Sequence, residues 1–252
     1  MPILARTAYS CQVTSSARAS KAPAADEAER TRLTKAAVTE RALALADAAG
    51  LDALTIRKLA TELGVTPMAL YWHFRGKEEL LEGVTERVWG EVDLTVDPDA
   101  PWADQLLRLV TSLLAVLRAH PAAPQLLARS EQMKGEHALA AVETALEVLR
   151  RAGFAPDDAS AISRSALWTS MMLVMSEPGI EAINEAERIE MQRKKKVTLA
   201  TLPQAKYPRL VECAEPMTAC DDPQLHYQFG LEMFMAGVTA LAAARAKQRQ
   251  PR

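Results

Sequence analysis

The side chains best suited to binding, rather than to packing, crowd into residues 55 to 77. They are Thr55, Arg57, Thr66, Pro67, Met68, Ala69, Tyr71, Trp72, His73 and Lys77. Thr66, Pro67, Met68 and Ala69 are small or narrow and permit close approach to a flat polar edge. The Tyr hydroxyl, the indole N–H and the imidazole are donors on rigid apolar bodies, able to reach phosphate oxygens. Arg57, Lys58, Arg75 and Lys77 surround them against one acid, Glu62, a local surplus of three positive charges. That chemistry suits a polyanion, and the field that matters acts within a Debye length of about 8–10 Å.

Two short helices must present these groups. Ile56, Leu59, Ala60 and Leu63 fall at i, i+3, i+4 and i+7, one apolar helix face. Thr55 is placed to cap its start and Gly64 to end it. Thr66-Pro67 opens a second helix, with Pro at the first position, where its missing N–H costs nothing. Leu70 and Phe74 turn inward with Val65, and Gly76 ends the helix. Leu70 and Phe74 fill the inner side, which leaves Tyr71, Trp72 and His73 without a packing role. A helix–turn–helix explains this, because its second helix lies in the major groove. An αα-hairpin with these aromatics in a core corner is the competing reading.

The run Val65-Thr-Pro-Met-Ala-Leu-Tyr-Trp-His-Phe-Arg-Gly-Lys-Glu-Glu-Leu-Leu81, preceded by Leu54-Thr-Ile-Arg-Lys-Leu-Ala60, resembles the DNA-binding domain of TetR-family repressors. The Leu-Tyr-Trp-His tetrad is most similar to the tetracycline-repressor branch, and the match covers about residues 33 to 93 without a gap. The resemblance implies base or nearby backbone contacts for Thr66, Pro67, Met68, Ala69 and Tyr71. It implies phosphate contacts for Thr55, Tyr71, Trp72, His73 and Lys77, and a base edge for Arg57. Pro67 and Met68 replace the Gln and Pro of the tetracycline repressor, and Ala69 its Thr. Donors to bases are lost, so a different operator sequence is expected.

The remaining composition fits an all-α chain. Of 252 residues, 49% are hydrophobic, yet only four each are Phe, Tyr and Trp, and Gly numbers ten. Such a chain can bury a real core. No apolar run approaches the ~20 residues that span a bilayer, and the start lacks a signal-peptide core. Cys11, Cys213 and Cys220 have no C-x-x-C spacing, which points to free thiols and a cytoplasmic protein. His73, His120, His137 and His226 are scattered, so no metal site and no cofactor are expected. No nucleophile elbow, P-loop or paired carboxylates beside a His point to an enzyme. The net charge of −2 argues against nucleic acid only if taken globally.

The expected organisation is a disordered arm over 1–30 (a solvated tail, or else a basic arm that adds DNA contacts), a helix–turn–helix domain over 31–93 that includes a connecting fourth helix, and a ligand-binding and dimerisation bundle over 98–247. Helix 1 spans Thr34 to Ala49, with Val38, Ala42, Leu45 and Ala49 inward and Gly50 as stop. Helix 4 spans Lys77 to about Val92, and Asp97-Pro-Asp-Ala-Pro101 breaks the chain. Helical patterns follow at Trp102–Ala119, Pro124–Ser130, Gly135–Ala152 and Pro156 to about Ser176. Residues 181–222 are polar, with one short helix and the run Arg193-Lys-Lys-Lys196, read as a solvated face.

The last helix, Pro223 to about Lys247, is apolar almost all round, so two sides need cover. The expected second cover is the same helix and residues 156–176 of a second subunit, with Ile162, Ala166, Phe229, Met233, Gly237 and Leu241 at the interface. A fully internal helix of one bundle is the alternative. Leu109, Leu113, Leu117, Leu127, Trp168, Met171, Met172 and Met175 are the expected walls of an effector cavity, Met and Leu suiting an adaptable apolar pocket, with plain helix-bundle core as the alternative reading for most of them. The resemblance also implies that Asp93, Leu109 and Leu127 replace the His, Asn and His that hold drug and magnesium in the tetracycline repressor. Magnesium-dependent tetracycline binding is therefore not expected. The reading is a homodimeric repressor of an inverted-repeat double-stranded DNA operator, released by an unidentified small apolar or amphipathic effector. An activator or co-regulator with the same head is the alternative.

Overall fold

The computed structural model describes residues 33–129, 134–177, 184–218 and 223–249; the expected arm over 1–30 lies outside them. Every regular element among the described residues is helical. The first group is α1 (Lys35–Ala49), a 3-10 turn (Leu51–Ala53), α2 (Ile56–Leu63), α3 (Pro67–Tyr71) and α4 (Lys77–Trp89). The second is α5 (Trp102–Ala119), α6 (Ala123–Arg129), α7 (Glu136–Arg151), α8 (Pro156–Met175), α9 (Glu185–Ala200), α10 (Pro208–Glu212) and α11 (Pro223–Arg249).

Local chemistry sets the boundaries. The Lys58 N–H donates to Thr55 Oγ1 at 3.1 Å, capping α2. Gly64 ends α2 at φ 69°, a left-handed turn that glycine adopts without steric cost. The Ala69 N–H donates to Thr66 Oγ1 at 3.3 Å, and Pro67 opens α3. Asp157 and Asp158 sit in the first turn of α8, where the helix dipole favours acids.

Four features differ from the sequence expectation. α3 stops at Tyr71, so Trp72 and His73 form a turn, although the Phe74 N–H still reaches the Leu70 carbonyl at 3.0 Å. α4 stops at Trp89 rather than near Val92, closed by Gly90. Ala49 is exposed at the end of α1. α9 is sixteen residues long, because Asn184 caps it by accepting from the Glu187 N–H at 2.9 Å and Glu190 braces Arg193 one turn on.

α1 and α4 pack on each other, and α2 and α3 close that unit around Leu59, Ala60, Leu70 and Phe74. α4 also leans on α6 and α7. The second group packs α5 against α7 and α8, with α11 laid on α8 and α5. Its core joins Leu106, Val110, Val148, Leu149, Phe154 and Ile162, and Trp102 meets Phe154 edge to face at 5.6 Å. α11 buries Tyr227 and Val238 but leaves Leu225, Phe229 and Met233 exposed. Gln224–Gln248 has the length and mean hydropathy (1.2) of a membrane-crossing helix, contrary to the expectation that no stretch would. Tyr227 and Val238 hold one side of it on the chain itself, and Glu232 and Arg245 interrupt it.

Candidate nucleic-acid interface and ligand cavity

Tyr71 and Trp72 are 50% and 76% exposed, and Met68 is 67% exposed. His73, Ala69 and Lys77 are half-buried, while Thr55, Arg57, Thr66 and Pro67 are exposed. The three rings are not interred in the chain, so the αα-hairpin with a packed aromatic corner does not describe this unit. Leu70 and Phe74 take the interior instead, at 1% and 3% exposure. Each capping hydroxyl, Thr55 and Thr66, spends one acceptor lone pair on the helix and keeps its O–H to donate outward.

The charge around this surface is arranged in one sense. Glu62, the lone acid of the stretch, is paired with Arg41 of α1. Arg57, Lys58 and Lys77 have no ion-pair partner among the described residues and remain available to phosphates. Glu79 accepts from the Arg75 N–H at 2.7 Å and from Lys35 at 3.1 Å. The Arg75 N–H, then Lys35, hold the Glu79 carboxyl below the ordinary 4.5. This bracket pins the turn between α3 and α4.

A cavity of about 470 Å³ opens among the end of α4, α5, α6, α7 and α8. Its volume lies within the 300–1,000 Å³ range of ligand sites. Five of the eight residues expected there line it: Leu109, Leu113, Leu127, Trp168 and Met171. The other three do not. Leu117 is fully buried elsewhere in the core, and Met172 and Met175 point away, each about half exposed. A helix at 100° per residue cannot aim Met171 and Met172 at the same wall.

Sequence reasoning missed several lining residues. Trp89 and Val92 reach the cavity from the end of α4, and Ala141, Val142, Ala145 and Leu146 form the α7 wall. Ser160, Ser163 and Arg164 of α8 also line it. The last three were findable, as polar residues at i, i+3 and i+4 on an otherwise apolar helix face.

The expected interface residues separate into two sets. Ile162 and Ala166 are 5% and 7% exposed and belong to the chain's own core, so they cannot meet a partner. Leu241 is partly buried against that core. Phe229 and Met233 are exposed, and a Cβ at Gly237 would meet nothing within 4 Å. Asp93 lies outside the cavity, bound to Arg108 at 3.0 Å and to the Thr95 N–H at 2.9 Å. Those hydrogen bonds from Thr95, with Arg108 behind them, hold its carboxyl below the ordinary 3.8.

Residues 38–84 match the family described as bacterial regulatory proteins, tetR family, and residues 96–242 match the tetracyclin repressor-like C-terminal domain. An HTH-type transcriptional regulator of Saccharopolyspora erythraea is 30% identical over 216 residues, covering 83% of this chain and 86% of that protein. The HTH-type transcriptional repressor DrrR1 of Streptomyces coeruleorubidus is 29% identical, covering 87% and 82%. The crystal structure of the Streptomyces coelicolor TetR family protein ActR in complex with actinorhodin superposes with a TM-score of 0.71 at 28% identity, covering 83% and 96%. With a matched helix–turn–helix head and a matched helical C-terminal domain, this chain belongs to the TetR family of transcriptional regulators.

Proposed function

We propose that the chain represses transcription as a homodimer on an inverted-repeat operator and is released when a small apolar or amphipathic ligand enters the cavity. Thr55, Arg57, Thr66, Pro67, Met68, Ala69, Tyr71, Trp72, His73 and Lys77 are the DNA-contacting set. Three segments follow: an N-terminal arm over 1–30, the reading head over 31–93, and the sensing and dimerising bundle over 98–247. The observation that carries the reading is the exposed Met68-Tyr71-Trp72 surface beside unpaired Arg57, Lys58 and Lys77. Water does not favour two large exposed rings, whereas a duplex uses both their apolar bodies and their donors. The relative named a repressor, DrrR1, and the likeness to ActR bound to actinorhodin support repression and ligand response.

Dimerisation rests on a second exposed surface. Leu225, Phe229, Met233 and Gly237 recur every four residues along α11, and Trp168, Met172 and Met175 are exposed on α8, the helix against which α11 packs. Covering this stripe with its symmetry mate forms a four-helix interface and removes its exposed apolar side chains from water. The same act hides the side of α11 that gives it membrane-like hydropathy. Two heads then face half-sites about 34–36 Å apart. The protein is expected to work in the cytoplasm.

Fluorescence anisotropy with a duplex from the region upstream of the coding sequence tests this. Saturable binding at low salt, weakened at least tenfold by Tyr71→Ala, is expected. Equal binding to that duplex and to random DNA by both proteins would refute operator recognition. A promoter–reporter comparison with and without the gene separates repression from activation.

A further inference from the structure

The polar atoms of the cavity come from one short line. Ser160, Ser163 and Arg164 are its only polar side chains among the described residues, and none of its lining residues is an acid. They stand at i, i+3 and i+4 of α8, so they share one helix face. Trp89 and Trp168 contribute two indoles to otherwise aliphatic walls. Arg164 is exposed, which puts its guanidinium at the rim rather than in the depth.

Arg164 also differs from the bundle arginines around it in lacking a partner. Arg108, Arg129, Arg151, Arg193, Arg209 and Arg245 are each tied to a carboxylate. Arg164 has no ion pair or hydrogen bond among the described residues, and neither do the hydroxyls of Ser160 and Ser163. A planar guanidinium with five donors, flanked by two O–H donors, matches the acceptor geometry of an acidic group. A cationic ligand would meet Arg164 with no carboxylate to answer it.

We propose that the cavity takes an aromatic anion. Its ring system lies between the Trp89 and Trp168 walls, and its carboxylate, sulfonate or ionised phenol is held at the mouth by Arg164 with Ser160 and Ser163. The proposal rests on the cavity being the effector site. The apolar body supplies most of the affinity, and the rim contact selects charge, because an exposed ion pair contributes modestly.

The test uses full-length protein and two fluorescent probes with the same rings. One is 1-anilinonaphthalene-8-sulfonate; the other, N-phenyl-1-naphthylamine, lacks the sulfonate. Arg164→Gln is exposed and should fold normally. It is expected to weaken the sulfonate by about threefold to tenfold, and the neutral amine by less than about twofold. Ala145→Trp, which fills the cavity from α7, should abolish both signals and so assign them to this site. If Arg164→Gln shifts both probes equally, or neither, while Ala145→Trp removes both, the anion assignment is overturned and the cavity stands. If neither probe binds, or Ala145→Trp leaves both unchanged, the effector-site reading itself falls and this inference with it.

Discussion

His120, at the corner between α5 and α6, stands between two carboxylates. Its Nδ1 lies 2.7 Å from Asp47 of α1, and its Nε2 lies 2.9 Å from Glu91 just past α4. Burial disfavours the charged ring, but the hydrogen bonds it donates to Asp47 and then to Glu91 outweigh it and raise the pKa above 6.5. A raised folded pKa means that the contribution to stability is complete below pH 6.5 and is lost as pH climbs through the folded value. Replacing the ring by His120→Gln removes the charge and keeps one amide donor. The three side chains are 17%, 19% and 28% exposed, and each carboxylate has a second partner, Ala122 N–H for Asp47 and Arg87 for Glu91. One charge-assisted hydrogen bond is therefore the net loss at pH 6, about 2 kcal/mol from a range of about 1.5–3. At pH 9 a neutral ring and a glutamine amide each satisfy one carboxylate, and the difference should fall below about 0.5 kcal/mol. Every other titratable group is common to both proteins, so its effect cancels. Urea unfolding at pH 6 and pH 9, at one protein concentration, measures it. A difference that is the same at both pH values, or larger at pH 9, would falsify the reasoning; so would an NMR titration of His120 with its midpoint below 6.5.

Three further outcomes are expected. A Cβ at Gly135 would lie 1.6 Å from Glu86 Oε2, so Gly135→Ala must expel the carboxylate that accepts from the His137 N–H at 2.7 Å. Calorimetric or urea unfolding should register about 1–3 kcal/mol of destabilisation, and none would show that this joint is slack. Phe229→Glu with Met233→Glu puts two like charges on the stripe of α11, and sedimentation should then report a monomer that binds single half-sites only; a persistent dimer would place the interface elsewhere. Thr55→Ala removes the α2 cap, which should cost about 1 kcal/mol. Operator affinity should fall further than the matching loss at Thr61, whose hydroxyl donates to the Arg57 carbonyl within the helix.

The head was legible in the chain because its signals are local. Thr55, Gly64, Thr66 and Pro67 each act on the backbone within four residues, so spacing alone places α2 and α3. The bundle was less legible because burial there is decided between helices. Ile162 and Ala166 read as apolar positions on a helix with two greasy sides, and nothing within α8 says that α5 and α11 claim that side. Met172 reads as a pocket residue by composition, yet the rotation of α8 that sends Met171 inward sends it out, while Met175, a turn beyond Met171 at the end of α8, lies past the cavity lining. Trp89 was overlooked for the opposite reason. It ends a helix already assigned to the head, whereas its ring belongs to the cavity. Gly135 and Glu86 are 49 positions apart and meet only in the folded chain.

That double membership of α4 bears on how the proposed switch works. One end of α4 is bracketed to the reading surface, Glu79 holding Arg75 and Lys35. Its middle caps α7 through Glu86, whose second oxygen is buried against Gly135 without a hydrogen-bond partner among the described residues. Its far end supplies Trp89 to the cavity wall, and Glu91 just beyond is fastened to His120. A ligand that needs room beside Trp89 therefore cannot move that wall without moving α4, because a packed helix shifts as a body rather than bending. To invert a 99:1 preference for the operator-competent form, the ligand must favour the other form by about 5.5 kcal/mol. The apolar walls are the only source of that size in the site, since a rim contact at Arg164 contributes at most about 1 kcal/mol. The charge at the mouth therefore decides which ligand enters, and the indole at the end of α4 decides whether its entry is felt at Tyr71 and Trp72.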